Sequence, residues 1–126
     1  MNESQLKKKI LIVDDEGGIR EIFYDHFSIR GYEVLCAGSV KEGFDLCVKE
    51  KPSAAILDYN LPDGLGEELL KRLKKIKPNI KIIMLTGNTL VPDLEERLLR
   101  GGADWFFEKG APITEVSKKL QELISL

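Results

Sequence analysis

A three-layer α/β domain, built on a doubly wound five-stranded parallel sheet, is the fold class that the sequence predicts. Three observations predict it. Short apolar runs alternate five times with longer amphipathic segments, the pattern of strands joined by helical crossovers. The short runs are continuous rather than alternating, as expected of strands covered on both faces. The length, 126 residues, suits one domain with a real core and no need of a disulfide or structural metal.

Taken in order, the strands are expected at 10–13, 33–37, 54–57, 80–85 and 105–107. The helices are expected at 17–29, 40–48, 65–76, 94–99 and 113–124. The first helix places Ile19, Ile22, Phe23 and Phe27 at helical spacing; the second places Val40, Phe44, Leu46 and Cys47; the third places Leu69, Leu70, Leu73 and Ile76. Ser39 and Thr114 are read as helix-start residues. Gly31, Gly101 and Gly102 stand where helices should stop. Pro52 and Pro78 fall in connections ahead of strands, and Leu61-Pro62-Asp63-Gly64 reads as a turn. No linker or low-complexity tract interrupts the pattern, and the last helix reaches the end of the chain. Residues 1–126 are therefore read as one domain without an output domain.

Composition excludes several classes. Nineteen basic and 21 acidic residues leave a net charge of −2, and the clusters Lys7-Lys8-Lys9 and 71–77 are separated and diluted. A nucleic-acid binder or an anionic-membrane binder would show a basic stripe. Cys36 and Cys47 lack metal-site spacing and are read as buried free thiols of a reducing compartment. His26, the single histidine, excludes a multi-histidine metal site and is read as a surface residue. No apolar run approaches the roughly 20 residues of a membrane span, and the polar N-terminus lacks a signal-peptide core. The expectation is a cytoplasmic monomer.

The residues that end the strands carry the functional signal. The first strand ends in Asp14-Asp15, the third in Asp58, the fourth in Thr86-Gly87 and the fifth in Lys109. In an open parallel sheet, sites form outside the carboxyl ends of the strands. Three carboxylates gathered there repel one another and need cations. Lys109 supplies one, and a hard divalent ion with oxygen ligands, Mg²⁺ with Mn²⁺ as a substitute, supplies the rest. A carboxylate in such a setting is a nucleophile for phosphorus. Thr86 offers a hydroxyl donor, and Gly87 leaves room for close backbone approach.

These residues, with 10–16, 56–64, Met84-Leu85-Thr86-Gly87 and Gly102-Ala103-Asp104 leading to Lys109, resemble the receiver domain of two-component response regulators, over essentially the whole chain. The resemblance implies a sheet of order 2-1-3-4-5, as in CheY-like and flavodoxin-like folds. It implies that Asp58 is the phosphorylation site, taking a phosphoryl group from a sensor histidine kinase or a histidine phosphotransfer protein. Asp15 would bind Mg²⁺ directly with the Asp58 carboxylate and the Asn60 backbone carbonyl, and Asp14 through a water. Lys109 would pair with Asp58 and then with the phosphoryl oxygens. Thr86 and Phe106 would form the switch, read out on the fourth helix, fifth strand and fifth helix by a downstream protein target or an output domain outside this chain. Asn60 and Asn88 would tune loss of the phosphoryl group to water. Dimerisation through that face on phosphorylation stays open.

Three features depart from the commonest pattern of that family. Gly110-Ala111 separate Lys109 from Pro112, Pro92 falls near the start of the fourth helix, and Phe106 lacks the frequent tyrosine hydroxyl. Three other readings compete. A Mg²⁺-dependent phosphohydrolase with an aspartate nucleophile would carry a general acid where Asn60 stands. An FMN binder would need a phosphate-cradling loop where Asp14 and Asp15 stand. A receiver-shaped interaction module that is never phosphorylated would be expected to have lost some of these acids.

Overall fold

The computed structural model describes residues 7–87 and 91–125. Strand β1 (Lys9–Val13) leads to helix α1 (Gly17–Ile29), β2 (Glu33–Ala37), α2 (Val40–Glu50) and β3 (Ala54–Asp58). A two-stranded hairpin follows, β4 (Asn60–Leu61) and β5 (Gly64–Leu65), which spans the predicted turn. Then come α3 (Gly66–Ile76), β6 (Lys81–Thr86), α4 (Leu94–Arg100), β7 (Trp105–Glu108) and α5 (Ile113–Ile124). The main sheet is all parallel in the order β2-β1-β3-β6-β7. With the hairpin set aside, this is the expected 2-1-3-4-5.

The continuous apolar runs are explained by two separate cores. Along β1, Ile10 and Ile12 face α1 and α5, where they meet Phe23, Phe27, Val116 and Leu120. Leu11 and Val13 face the other way, into Leu69, Leu70 and Leu73 of α3 and Leu98 of α4. Successive strand residues point to opposite faces, so a strand buried on both faces must be apolar throughout. β3 is buried at every position, whereas edge strand β7 is exposed at both ends. Each fully buried Leu or Ile contributes about 1.5–3 kcal/mol relative to an exposed one.

Helix ends follow local chemistry, with exceptions. Ser39 caps α2, its side chain accepting the Glu42 N–H at 3.1 Å. Asp63, in the hairpin turn, accepts the Val40 and Lys41 N–H groups at 2.8 and 3.0 Å, so the turn is bolted to the start of α2. Thr114 is not a cap: α5 starts one residue earlier, from Pro112, whose fixed φ suits the position. Gly31 and Gly102 adopt left-handed φ of 93° and 115° beyond α1 and α4, as helix stops require. Asp104 ties the start of β7 to the sheet, accepting the Ile82 N–H at 2.8 Å and the Lys74 ammonium at 3.1 Å.

Several expectations about packing are corrected. Ile22 and Ile76, assigned to apolar stripes, are exposed, because each lies at the margin of its helix's buried arc. His26 is half-buried rather than on the surface, edge-on to Phe27, and burial together with the nearby Arg30 charge lowers its pKa. Cys47 is buried and Cys36 only half so; both are free thiols. Among the described residues, no helix is long and apolar enough to cross a membrane.

Candidate functional site

Strand order reverses direction at β1. The chain leaves it for β2 on one side and then crosses back over it through α2 to β3 on the other, which opens a crevice at the carboxyl ends of β1 and β3. The parallel register sets what stands there. Val13 pairs with Leu57, Asp58 with Leu85, and Thr86 with Glu108. The next backbone bonds hold the loops level: Asp14 N–H to Ala37 O at 3.1 Å, Tyr59 N–H to Leu85 O at 2.9 Å, Lys109 N–H to Thr86 O at 2.9 Å. Asp14, Asp58, Thr86 and Lys109 therefore share one edge.

Asp14 and Asp58 are buried, with side chains 1% and 3% exposed. The Lys109 ammonium donates to Asp58 Oδ2 at 2.9 Å and to Glu16 Oε1 at 2.9 Å, and lies 3.4 Å from Asp14 Oδ2. Burial pulls the Lys109 pKa down, but the bonds to Glu16 and Asp58 and the charges of Asp58 and Asp14 outweigh it, and the group stays protonated well above its ordinary range. The Asp58 Oδ1 atom accepts the Asn60 N–H at 3.3 Å. Asp14 Oδ1 accepts the Glu16 N–H at 2.9 Å, and the Asp14 carbonyl accepts from Arg20 at 2.7 Å. Glu16, not Asp14 or Asp15, holds the cap position of α1, with no side-chain cap bond. The acid pair therefore does not cap α1.

A cation fits this arrangement. Asp14 Oδ2 is buried and accepts no hydrogen bond, the Lys109 ammonium lying 3.4 Å away, and Asp14, Asp15 and Glu16 place one carboxylate oxygen each within 4.8 Å of the others. Hard oxygen donors with two exposed members suit Mg²⁺, which keeps several waters. The acidic run matches the Mg²⁺-binding motif of the family the sequence resembles; of the ligands expected there it holds Asp14 and Asp15, with Glu16 in addition and without Asp58. Glu16 was not singled out from the sequence. Its position within the acidic run was the available signal, but its reach to Lys109, 93 residues on, was not.

The other expected site residues are placed less tightly. Asp15 and Asn60 are exposed at the mouth and Thr86 is buried beside it. A Cβ on Gly87 would meet the Lys109 side chain at an ordinary 3.8 Å, so space alone does not demand glycine there. Phe106 is half-buried against the α3–α4 core and stacked on Trp105, 6.2 Å between centroids. Asn88 lies outside the described residues.

Asp14 makes the site pH-sensitive. Burial, and then the Asp58 charge, raise its pKa above the ordinary 3.8, against the lowering effects of the Glu16 N–H and Lys109. An acid whose pKa is raised by folding binds its proton more tightly in the native state. Native stability from this group therefore increases as the pH falls through the raised value, and levels off below 3.8. In metal-free protein, Asp14→Asn should remove that part of the slope and be more stable than wild type at pH 7. Denaturant midpoints of both proteins from about pH 3 to about pH 8 check this.

Comparison with known proteins agrees with this geometry. Residues 10–121 match the response regulator receiver domain family. The chain is 33% identical over 121 residues to sporulation initiation phosphotransferase F of Bacillus subtilis, covering 96% of this chain and 97% of that protein. It spans about half the length of other curated relatives, which are transcriptional regulators and a response regulator. Its fold is similar to the crystal structure of a CheY-like receiver domain protein from Methanospirillum hungatei, with a TM-score of 0.90, 32% identity and 95% of each chain covered. A Burkholderia pseudomallei response regulator, crystallised with a phosphorylated aspartic acid, calcium ion and citrate, is also similar, with a TM-score of 0.84, 26% identity, and 94% of this chain and 69% of that one covered. With the family match running from β1 into α5, and an acidic crevice where the fold reverses, the chain belongs to the response regulator receiver domain family.

Proposed function

We propose that Asp58 is the residue of this phosphoacceptor receiver that takes the phosphoryl group. The observation that carries the reading is the buried Asp58 carboxylate, hydrogen-bonded to Lys109 at 2.9 Å at the point where strand order reverses. An Asp58 oxygen attacks phosphorus on a phosphohistidine; the new O–P bond forms as the P–N bond breaks, and the imidazole leaves and is protonated. Mg²⁺, when bound, neutralises charge on the phosphoryl oxygens. Asp14, Asp15, Asp58 and the Asn60 carbonyl would hold it. Lys109 exchanges its bond to Asp58 for one to a phosphoryl oxygen, a point charge on a flexible stem. Thr86 donates its hydroxyl to another, and Phe106 follows Thr86 inward, which reshapes the surface of α4, β7 and α5.

Family membership sets aside the hydrolase and flavin readings: receivers phosphorylate and dephosphorylate themselves and are not turnover enzymes. Consistently, Asn60 has no acid to activate water, and with Asn88 and Gly87 it would tune the lifetime of the phosphoryl group. The relatives are a phosphotransferase, transcriptional regulators and a response regulator. The finer assignment proposed here is a histidine kinase or histidine phosphotransfer protein as donor, and a downstream protein, or an output domain beyond residues 1–126, as target. Mg²⁺-dependent labelling by acetyl phosphate tests the acceptor. Wild type should be labelled and Asp58→Asn should lose at least about 99% of the label, as loss of a nucleophile requires. Equal labelling of the two proteins would overturn the assignment.

A further inference from the structure

The residue after the proposed acceptor belongs to a second polar cluster that the phosphoryl chemistry does not use. The Arg97 guanidinium, on α4, donates through Nε to Glu67 Oε2 at 2.7 Å and through Nη2 to the Tyr59 hydroxyl at 3.1 Å. Tyr59 and Glu67 are only 6% and 8% exposed. They stand on the two sides of the hairpin loop that follows Asp58. Tyr59 enters it from β3, and Glu67 receives it on α3. The stem between them is closed by the Gly66 N–H, which donates to the Tyr59 carbonyl at 2.6 Å. Arg97 thus spans the base of the loop that presents the Asn60 backbone to the crevice.

Several features make this more than a surface ion pair, which would be worth little. The Glu67 side chain is only 11% exposed, although that of Arg97 is 43% exposed, and among the described residues the carboxylate has no other side-chain partner. Its loss of Arg97 would leave an uncompensated charge in the interior. The planar guanidinium holds two acceptors at once, which an ammonium does with less geometric constraint. The helix that carries Arg97 also borders the site elsewhere: Val91 to Glu96 and Thr86 line a cavity of about 360 Å³. The start of that short helix therefore faces Thr86 across a cavity, while its Arg97 reaches the base of the loop after β3.

Resting on the reading of Asp58 as acceptor, we infer that Arg97 is a positioning residue for phosphoryl transfer. By bridging Tyr59 and Glu67 it closes the stem of the 60–65 loop, and it couples the setting of that loop to the position of α4. The coupling is reciprocal: what stabilises one position of α4 changes the ease of ordering the loop, and ordering the loop biases α4 by the same free energy.

The test compares wild type with Arg97→Ala, Arg97→Lys and Tyr59→Phe. In metal-free protein, amide hydrogen exchange of residues 60–65 should rise roughly tenfold in Arg97→Ala, while amides of β1 and β3 keep their wild-type protection. The initial rate of Asp58 labelling by acetyl phosphate should fall by a similar, roughly tenfold factor at limiting Mg²⁺, and by less at saturating Mg²⁺, because metal binding then orders the loop. Arg97→Lys should recover the Glu67 contact but only part of the rate. Tyr59→Phe should move both readouts the same way by less, and adding it to Arg97→Ala should have no further effect. The inference is overturned if folded Arg97→Ala exchanges in the loop and is labelled within about twofold of wild type. It is equally overturned if exchange rises uniformly through the sheet, since that is lost global stability. Failure of the acceptor reading looks different: Asp58→Asn would still be labelled.

Discussion

Lys109→Ala should lower phosphorylation of Asp58 by about 10²–10³-fold, the usual effect of removing one preorganised charge donor from a developing anion. It should also destabilise the metal-free fold by roughly 2–4 kcal/mol at neutral pH, somewhat under the range for breaking a buried pair. The discount has two reasons. The Lys109 side chain is 22% exposed, and one of its partners, Glu16, is 61% exposed and can return to water. Asp14 and Asp58 cannot, being 1% and 3% exposed. Without the ammonium they face each other as uncompensated buried charges. The loss should therefore shrink as the pH falls and Asp14, its pKa already raised, takes a proton. Saturating Mg²⁺ should shrink it too, since a ligand of the native state alone adds RT ln(1 + [L]/Kd). Urea midpoints at two pH values, with and without Mg²⁺, check the stability arm. Acetyl phosphate labelling checks the rate. A Lys109→Ala protein as stable as wild type in metal-free buffer at pH 7 would show that the acids are solvated and the electrostatic account is wrong.

How much of this was readable in the sequence depended on range. The strands were legible because burial on both faces leaves continuous apolar runs such as 10–13, and all five helices appeared through their spacing. The crevice was legible for a topological reason. Parallel strands end on one side, so reading the last residue of each strand gathers Asp14, Asp58, Thr86 and Lys109 without knowledge of side-chain positions. Contacts that depend on side-chain reach were not legible. Glu16 joins Lys109 across the crevice, Asp63 leaves its own turn to cap α2, and Arg97 closes the loop after Asp58. Each is a polar residue whose local sequence has an adequate bland explanation, so nothing marks it before the chain is folded. Thr114 shows the converse. It has helix-start chemistry, but proline two residues before it already supplies the start.

Gly66→Ala should be the most disruptive single-methyl substitution in the chain, for a reason no local pattern announces. Glycines are usually kept for unusual φ, and on that ground Gly66, the first residue of α3, looks replaceable. Alanine there would even favour the helix by up to about 1 kcal/mol. Yet a Cβ at Gly66 would collide with the Asp58 carbonyl oxygen, and would crowd the Asp58 carbonyl carbon at 2.9 Å and Tyr59 Cα at 3.1 Å. All three are backbone atoms held in the sheet by the β3–β6 ladder, so no rotamer change relieves the overlap. Either α3 retreats, breaking the Gly66 N–H bond to Tyr59 O, or the end of β3 moves with its carboxylate. Overpacking of this kind costs about 1–3 kcal/mol or more where backbone must shift. With the helix gain offset, a net loss of roughly 2 kcal/mol is expected. Gly43→Ala is the matched control. Its Cβ would also be tight, 2.9 Å from Val13 Cγ2 and 3.0 Å from Leu69 Cδ2, but side-chain ends can give way. It should therefore cost less and leave the acceptor in place. Chemical denaturation ranks the two variants, and acetyl phosphate labelling separates them further: Gly66→Ala should lose rate beyond its loss of folded protein, and Gly43→Ala should not. Equal behaviour would mean that α3 can move away from β3 freely, so that the acceptor's position does not depend on how closely α3 packs against it.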